Sequence, residues 1–210
     1  MIRIYKNYFH KLSNLETIQL NPRKLQELSI LMVPLFVGPV SFIWSLLYLA
    51  NNQYIAASVV ILYSFISLFN LLHYEKTNNL QAIQKTQMFL VLIIPFILTW
   101  VLGGFTNSSY IIVWSFFAPI AAIIHEKKGK AKYWLFSFLT LTLFTVLLDS
   151  WLINTTTPMP KNIREIFLLL NISASLTGIY YLLKFFIYKN KFLILKNTHY
   201  FIEILFKQRL

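Results

Sequence analysis

Cysteine is absent from the 210 residues. That excludes a disulfide scaffold, a thiol nucleophile and any Cys-ligated metal site. Charge is scarce too: 12% of residues are Asp, Glu, Lys or Arg, whereas 57% are hydrophobic. Soluble domains carry about a quarter charged residues and are below about half apolar. A soluble fold of this size would have to hide more apolar surface than its interior holds. Soluble enzyme, nucleic-acid module and disordered linker are therefore poor readings. Glycine occurs only 5 times, and no phosphate-cradling loop exists, because Gly103-Gly104 follows an apolar run instead of opening a helix after a strand. Acid is the scarcer sign of charge, with 7 Asp and Glu against 19 Lys and Arg.

What the chain has in abundance is long apolar runs. A bilayer-spanning helix needs about 20 mostly apolar residues. Six stretches qualify: residues 28–50, 54–72, 86–102, 108–124, 133–153 and 163–188. Backbone groups in hydrocarbon must be satisfied internally, so each run is expected to be helical. Pro34, Pro39, Pro95 and Pro119 fall inside these runs, where neighbouring helices compensate a kink. The runs are continuous and lack the alternation of a β-barrel strand. The expectation is an all-α polytopic membrane protein, a six-transmembrane-helix bundle over residues 28–188. Residues 1–27 then form a cytoplasmic or interfacial N-terminal segment, and 189–210 the cytoplasmic start of a connecting helix.

The basic residues set the orientation. All but Lys161 and Arg164 of the 19 Lys and Arg lie in the N-terminal segment, the second-to-third and fourth-to-fifth connections, or the C-terminal end. Positive charge is retained in the cytoplasm, which puts both termini there and the protein in the inner (plasma) membrane. The net charge of +12 is then an orientation signal helped by anionic lipid, and no nucleic acid is expected as partner. Residues 1–20 lack the apolar core and small-residue cleavage site of a secretory leader. Tyr5, Tyr8, Phe9 and Leu12 share one helical face, a pattern that fits either a short interfacial helix or an aromatic tail.

Little in the chain can carry chemistry. Intramembrane ionisable residues are functional candidates by default, and only Asp149 and Lys184 approach that status. Asp149 either binds a cation or pairs with Arg164 across the last external loop, or it simply reaches the wet interface, which is the plainer reading. Lys184 is expected to snorkel to the headgroups. His10, His73, His125 and His199 form no zincin-type pair. A serine hydrolase would need a base that no span offers. No catalytic residue, cofactor or metal is expected.

Trp44, Trp100, Trp114 and Trp151 gather near the external ends of four spans, with Trp134 alone on the other side. An interfacial aromatic belt explains them, and an outward-facing cup for a small ligand is the sharper alternative. In the sixth run Ala174 and Gly178 have small-xxx-small spacing and Asn171 can hydrogen-bond across a helix interface. These three serve either a homodimer contact or packing within one bundle. Asn107-Ser108-Ser109 and Asn154-Thr155-Thr156 match the short glycosylation pattern.

The segment GGFTNSSYIIVWSFFAPIAAII, residues 103–124, resembles the outer turn and fourth helix of the six-helix membrane domain of certain bacterial class III adenylate/guanylate cyclases. The matching positions are Gly103, Gly104, Phe105, Asn107, Ser108, Ser109, Trp114, Ser115, Ala118 and Pro119. The basic connection and aromatic restart at Tyr133-Trp134 are also similar, and the likeness covers roughly residues 23–189. On physical grounds alone, the glycines permit a tight turn, and Asn and Ser side chains satisfy amides at the start of the next helix. The turn reads equally as a structural hairpin or as the rigid lip of a sensor. The resemblance implies a membrane anchor and sensory or dimerisation domain, with a cytoplasmic cyclase domain in cis or in trans. The sequence stops at Leu210 before any such domain, so no catalytic residue carries over and this chain is not expected to be an enzyme. The rival reading is a small transporter or channel subunit. It calls for a polar path near mid-membrane, for which the interior is expected to offer mainly Ser, Thr and Asn.

Overall fold

The computed structural model describes residues 37–126 and 129–207, with Glu27, Ile30, Leu31 and Pro34 before them; from 185 onward it describes the backbone, Ile187 apart. The aromatic face at Tyr5, Tyr8, Phe9 and Leu12 lies outside the described residues. Helix α1 spans Gly38–Ala50, α2 Tyr54–Thr77 and α3 Leu80–Val101. A short α4, Gly104–Asn107, leads to a 3-10 segment, Ile111–Phe116, which runs directly into α5, Phe117–His125. Helix α6 covers Ala131–Thr155 and α7 Lys161–Lys207. Among the described residues there is no strand. Helices α2, α3, α6 and the Lys161–Lys184 part of α7 are long and apolar enough to cross a membrane. Val40–Ala50 and Ile111–His125 are apolar but shorter. An all-helical fold with four such helices fits a membrane helical bundle.

Local chemistry sets the boundaries. Asn78 ends α2 in the left-handed conformation at φ 51°, which Asn tolerates better than most residues. Its neighbour Asn79 caps α3 by accepting the Ala82 N–H at 3.1 Å. Because of that cap, α3 begins six residues before the apolar run at 86. Proline acts in two ways. Pro39 lies in the first turn of α1, where its missing N–H costs nothing. Pro95 lies inside α3 and leaves the turn before it short of a donor. A neighbouring element reaches that turn, since Ser115 Oγ–H donates to the Leu92 carbonyl at 2.8 Å.

The fourth apolar run departs from the expected single helix. Pro119 sits in the first turn of α5, and its ring excludes an α-helical turn through residue 115. The preceding residues take the tighter 3-10 winding instead. The larger 3-10 rise still carries Ile111–His125 over about 25 Å, close to the roughly 30 Å hydrocarbon thickness.

The turns gather at two ends. At one end, here the distal end, Gln53 Nε2–H donates to the Thr157 carbonyl at 3.2 Å, tying the α1–α2 turn to the α6–α7 turn. A core of Tyr48, Ala57, Val60, Leu98, Met159 and Phe167 underlies them. At the other, basic end lie Lys76, Lys85, Lys130 and Lys132. Between the ends α3 is central: 56% of its apolar window is buried, against 11% for α6. The interior holds more than Ser, Thr and Asn, because Gln84 and Gln87 of α3 are also buried. Ser67 Oγ approaches Gln87 Oε1 at 3.4 Å, and Asn70 Nδ2–H donates to the Ile83 carbonyl at 3.2 Å.

Candidate functional site

The turn between α3 and the 3-10 segment is where three helix ends meet. It begins with two glycines at φ +92° and +89°, a region that side chains with a Cβ rarely adopt. A Cβ on Gly103 would collide with Thr156 Oγ1, and one on Gly104 with Asp149 Oδ1. The glycines thus do two jobs: they reverse the chain, and they let the backbone close on α6. Ser109 and Tyr110 then take positive φ of 55° and 53°, completing the reversal before the 3-10 segment starts.

Asp149 fills the space the missing Cβ leaves. Its Oδ1 accepts the Phe105 N–H at 2.8 Å, so a half-buried carboxylate satisfies one of the open amides at the start of α4. Arg164, in the first turn of α7, donates Nη1–H to Asn107 Oδ1 at 2.7 Å. The Asp149–Arg164 pair, one of the alternatives the sequence left open, is not formed among the described residues: each group meets the turn, from a different helix. The arginine is otherwise under-served, with its Nε buried and unbonded among the described residues.

Further bonds run along the same seam. Ser109 Oγ–H donates to the Arg164 carbonyl at 2.8 Å. Asn171, two turns further along α7, donates Nδ2–H to the Ser109 carbonyl at 3.0 Å. Its Oδ1 accepts the Trp114 indole N–H at 3.2 Å. The Asn171 side chain is fully buried, and both ends of its amide are used. Trp114 stacks on Phe117 at 5.6 Å and 19° between ring planes, and Phe117 lies where a Cβ on Gly178 would come within 2.5 Å of its ring. Turn, 3-10 segment, α5 and α7 therefore form one continuous seam.

The structure brings together Gly103, Gly104, Phe105, Asn107, Ser108, Ser109 and Trp114 with Asn171 and Gly178. Ala174, half-buried, lies on α7 between the last two. Two groups that the sequence suggested separately are one site. The contacts of Asn171 and Gly178 lie within the chain. Asn107 is buried, so a sugar at that motif would require the turn to open. The tryptophans turn to separate partners: Trp100 donates to Thr145 Oγ1 at 2.9 Å, Trp44 meets Phe167 edge-on, and Trp151 is 62% exposed.

Sequence reasoning passed over Thr145, Gln84 and Gln87, all buried polar residues. A polar residue inside an apolar run is the signal that could have marked Thr145, whereas the two glutamines sit in the polar stretch where the third run begins. Chemically the site is nearly saturated: apart from Arg164 Nε, its side-chain donors meet carbonyl or amide oxygens and the Phe105 N–H meets a carboxylate, and no nucleophile stands beside a base among the bonds described. It is built to hold helices in register. No family model, curated protein or solved structure matches the chain.

Proposed function

We propose that the chain is the membrane part of a signalling protein of the nucleotide-cyclase type. In this reading it is a six-crossing anchor of the inner (plasma) membrane with both termini cytoplasmic, and α1 and Ile111–His125 make the two short crossings. The distal turn receives an event, and α7 passes it to a cytoplasmic cyclase domain in cis or in trans, with a second copy supplying the paired geometry. Catalysis belongs to that domain, and no nucleic acid is involved.

One observation carries the reading: a single helix bonded to the distal turn by Arg164 and Asn171 continues without a break from Lys161 to Lys207. Its 47 residues reach about 70 Å, more than twice the hydrocarbon thickness of roughly 30 Å. Contacts hold it to the turn and to α5 at Arg164, Asn171 and Gly178, and beyond them Tyr180, Tyr181, Leu183 and Ile187 are exposed. A rigid rod held near one end turns a small distal change into a displacement at its far end. Any stimulus must bind one of the two rod positions more tightly than the other.

The absence of cysteine makes the topology directly testable. In intact cells an impermeant thiol reagent should label Asn52→Cys and Thr157→Cys, and should label Thr77→Cys and Gly129→Cys only after permeabilisation. Labelling of all four in intact cells would sink the six-crossing reading. An antibody against residues 14–24, used on native membranes, addresses the partner. A band heavier than 24.8 kDa by a catalytic domain supports fusion in cis, and Arg164→Gln should then change cyclic-nucleotide output at unchanged protein level. Unchanged output would leave an anchor without sensing. The transporter reading has its own observation, the buried Tyr63 Oη and Gln87 Nε2 that lack partners among the described residues. Solute flux in proteoliposomes that Gln87→Leu abolishes would favour it instead.

A further inference from the structure

At the basic end the second and third turns of α3, the first turn of α6 and the end of α5 leave an open cleft of about 340 Å³. Lys85, Phe89, Glu126, Lys130, Tyr133 and Trp134 line it. We propose that this cleft is a binding site for the headgroup of an anionic phospholipid, with the phosphodiester between the two lysines. The proposal goes beyond the signalling reading and stands whether or not that reading holds.

Charge gives the sign of the ligand. Two lysines face one glutamate across the cleft, and among the described residues none of the three takes part in an ion pair. Lys132 Nζ lies over the ring of Tyr133 at 5.4 Å from its centroid, and Lys127 and Lys128 belong to the same connection. Basic pockets between transmembrane helices on the cytoplasmic side are suited to phospholipid headgroups.

The aromatic groups give the class. Phe89 and Tyr133 are 57% and 63% exposed, beside lysines on the same helices. An apolar flank continuous with a cationic one suits a molecule with acyl chains and a phosphate, and suits a free anion poorly. The indole N–H groups of Trp100 and Trp114 bond to Thr145 and Asn171. Trp134 also packs partly into the core, yet it donates to no group among the described residues, and it lines the cleft. An ester or phosphate oxygen of a lipid seated there would give it an acceptor.

The test is native mass spectrometry of the full chain released from detergent containing equal phosphatidylglycerol and phosphatidylcholine. One phosphatidylglycerol should be retained in preference. The double variant Lys85→Ala with Lys130→Ala should lower that preference about thirtyfold, as loss of two near-surface cations implies. The matched double Lys76→Ala with Lys184→Ala, which removes two likewise exposed lysines, should leave it unchanged. Trp134→Phe should lower retention without changing the choice between lipids. Equal retention of both lipids, or equal loss in the two double variants, overturns the site in favour of diffuse surface charge. Displacement of the lipid by millimolar inorganic phosphate overturns the lipid as occupant and leaves a free-anion site.

Discussion

The two ends of the bundle use polar side chains in opposite ways. At the distal end the bonds of Asp149, Asn107, Arg164, Ser109 and Asn171 tie together three helices, α4, α6 and α7, and the turn after α4. At the basic end Lys85, Lys130, Glu126 and Trp134 line an open cleft without bonding to one another among the described residues. The distal groups are buried or half-buried, where each unmet donor or acceptor would cost about 1–3 kcal/mol. The basic groups are largely exposed, where an ion pair contributes about 0–1 kcal/mol. The difference teaches which end is a joint and which is a surface. A change at the joint should alter stability and the set of α7; a change at the surface should alter only what binds there.

The sharpest way to break the contrast is at the glycines. Gly103→Ala should be the most destabilising of the changes considered, because it combines the strain of a positive φ with a collision against Thr156. The strain alone is about 1–2 kcal/mol, and forced overpacking adds about 1–3 kcal/mol. Thermal unfolding in detergent measures the sum. Adding Thr156→Ala should return the steric part and leave the strain. If the double variant melts no higher than the single, Thr156 is not what the glycine admits.

Asn171→Ala comes next. It strands the Trp114 indole and the Ser109 carbonyl at once, at an expected cost of about 1–2 kcal/mol. A double-mutant cycle with Trp114→Phe isolates the indole–amide bond: stability losses that simply add would show that Trp114 and Asn171 act independently. By contrast Lys130→Ala, at the other end, should leave melting within about 0.5 kcal/mol of wild type.

Gly178→Leu sharpens the comparison from inside α7. Its side chain would enter the ring of Phe117, so the seam should loosen by about 1–3 kcal/mol. Ala174→Leu, at the half-buried position one turn earlier, serves as its companion. Self-association in membranes read alongside melting separates the two uses of the stripe. Lower melting with unchanged association assigns Gly178 to packing on α5, and weaker association with unchanged melting assigns it to a dimer.

Much of this fold was legible as apolar length. The runs at 54–72 and 133–153 became Tyr54–Thr77 and Ala131–Thr155, the first longer at its C-terminal end and the second at both, because polar residues continue a helix once hydrocarbon has fixed its middle. The fourth run was legible as apolar but not as 3-10, because the effect of Pro119 depends on where the α-helix starts. The site was legible only as separate polar residues. Arg164 and Asn107 are 57 positions apart, and Asp149 and Phe105 are 44 apart. Charge alone offered Asp149 a pairing with Arg164 as one alternative. The backbone decides otherwise: the start of α4 offers Asp149 an open amide, whereas Arg164, at the start of α7, is left to meet a neutral amide oxygen across the turn.

That amide gives the finest test of the joint. A carboxylate at position 149 contributes an acceptor to the Phe105 N–H, and its charge also faces the start of a helix of only four residues. A helix dipole grows with the number of aligned peptides, so α4 offers little field and the acceptor should dominate. Asp149→Asn keeps an acceptor oxygen and should lower stability by no more than about 0.5 kcal/mol, whereas Asp149→Ala removes it and should cost about 1 kcal/mol. Thermal unfolding of the two variants side by side decides between them. If Asn proves as damaging as Ala, the charge itself is required, and a cation or the Arg164 guanidinium must meet it in some state of the distal end other than the one described.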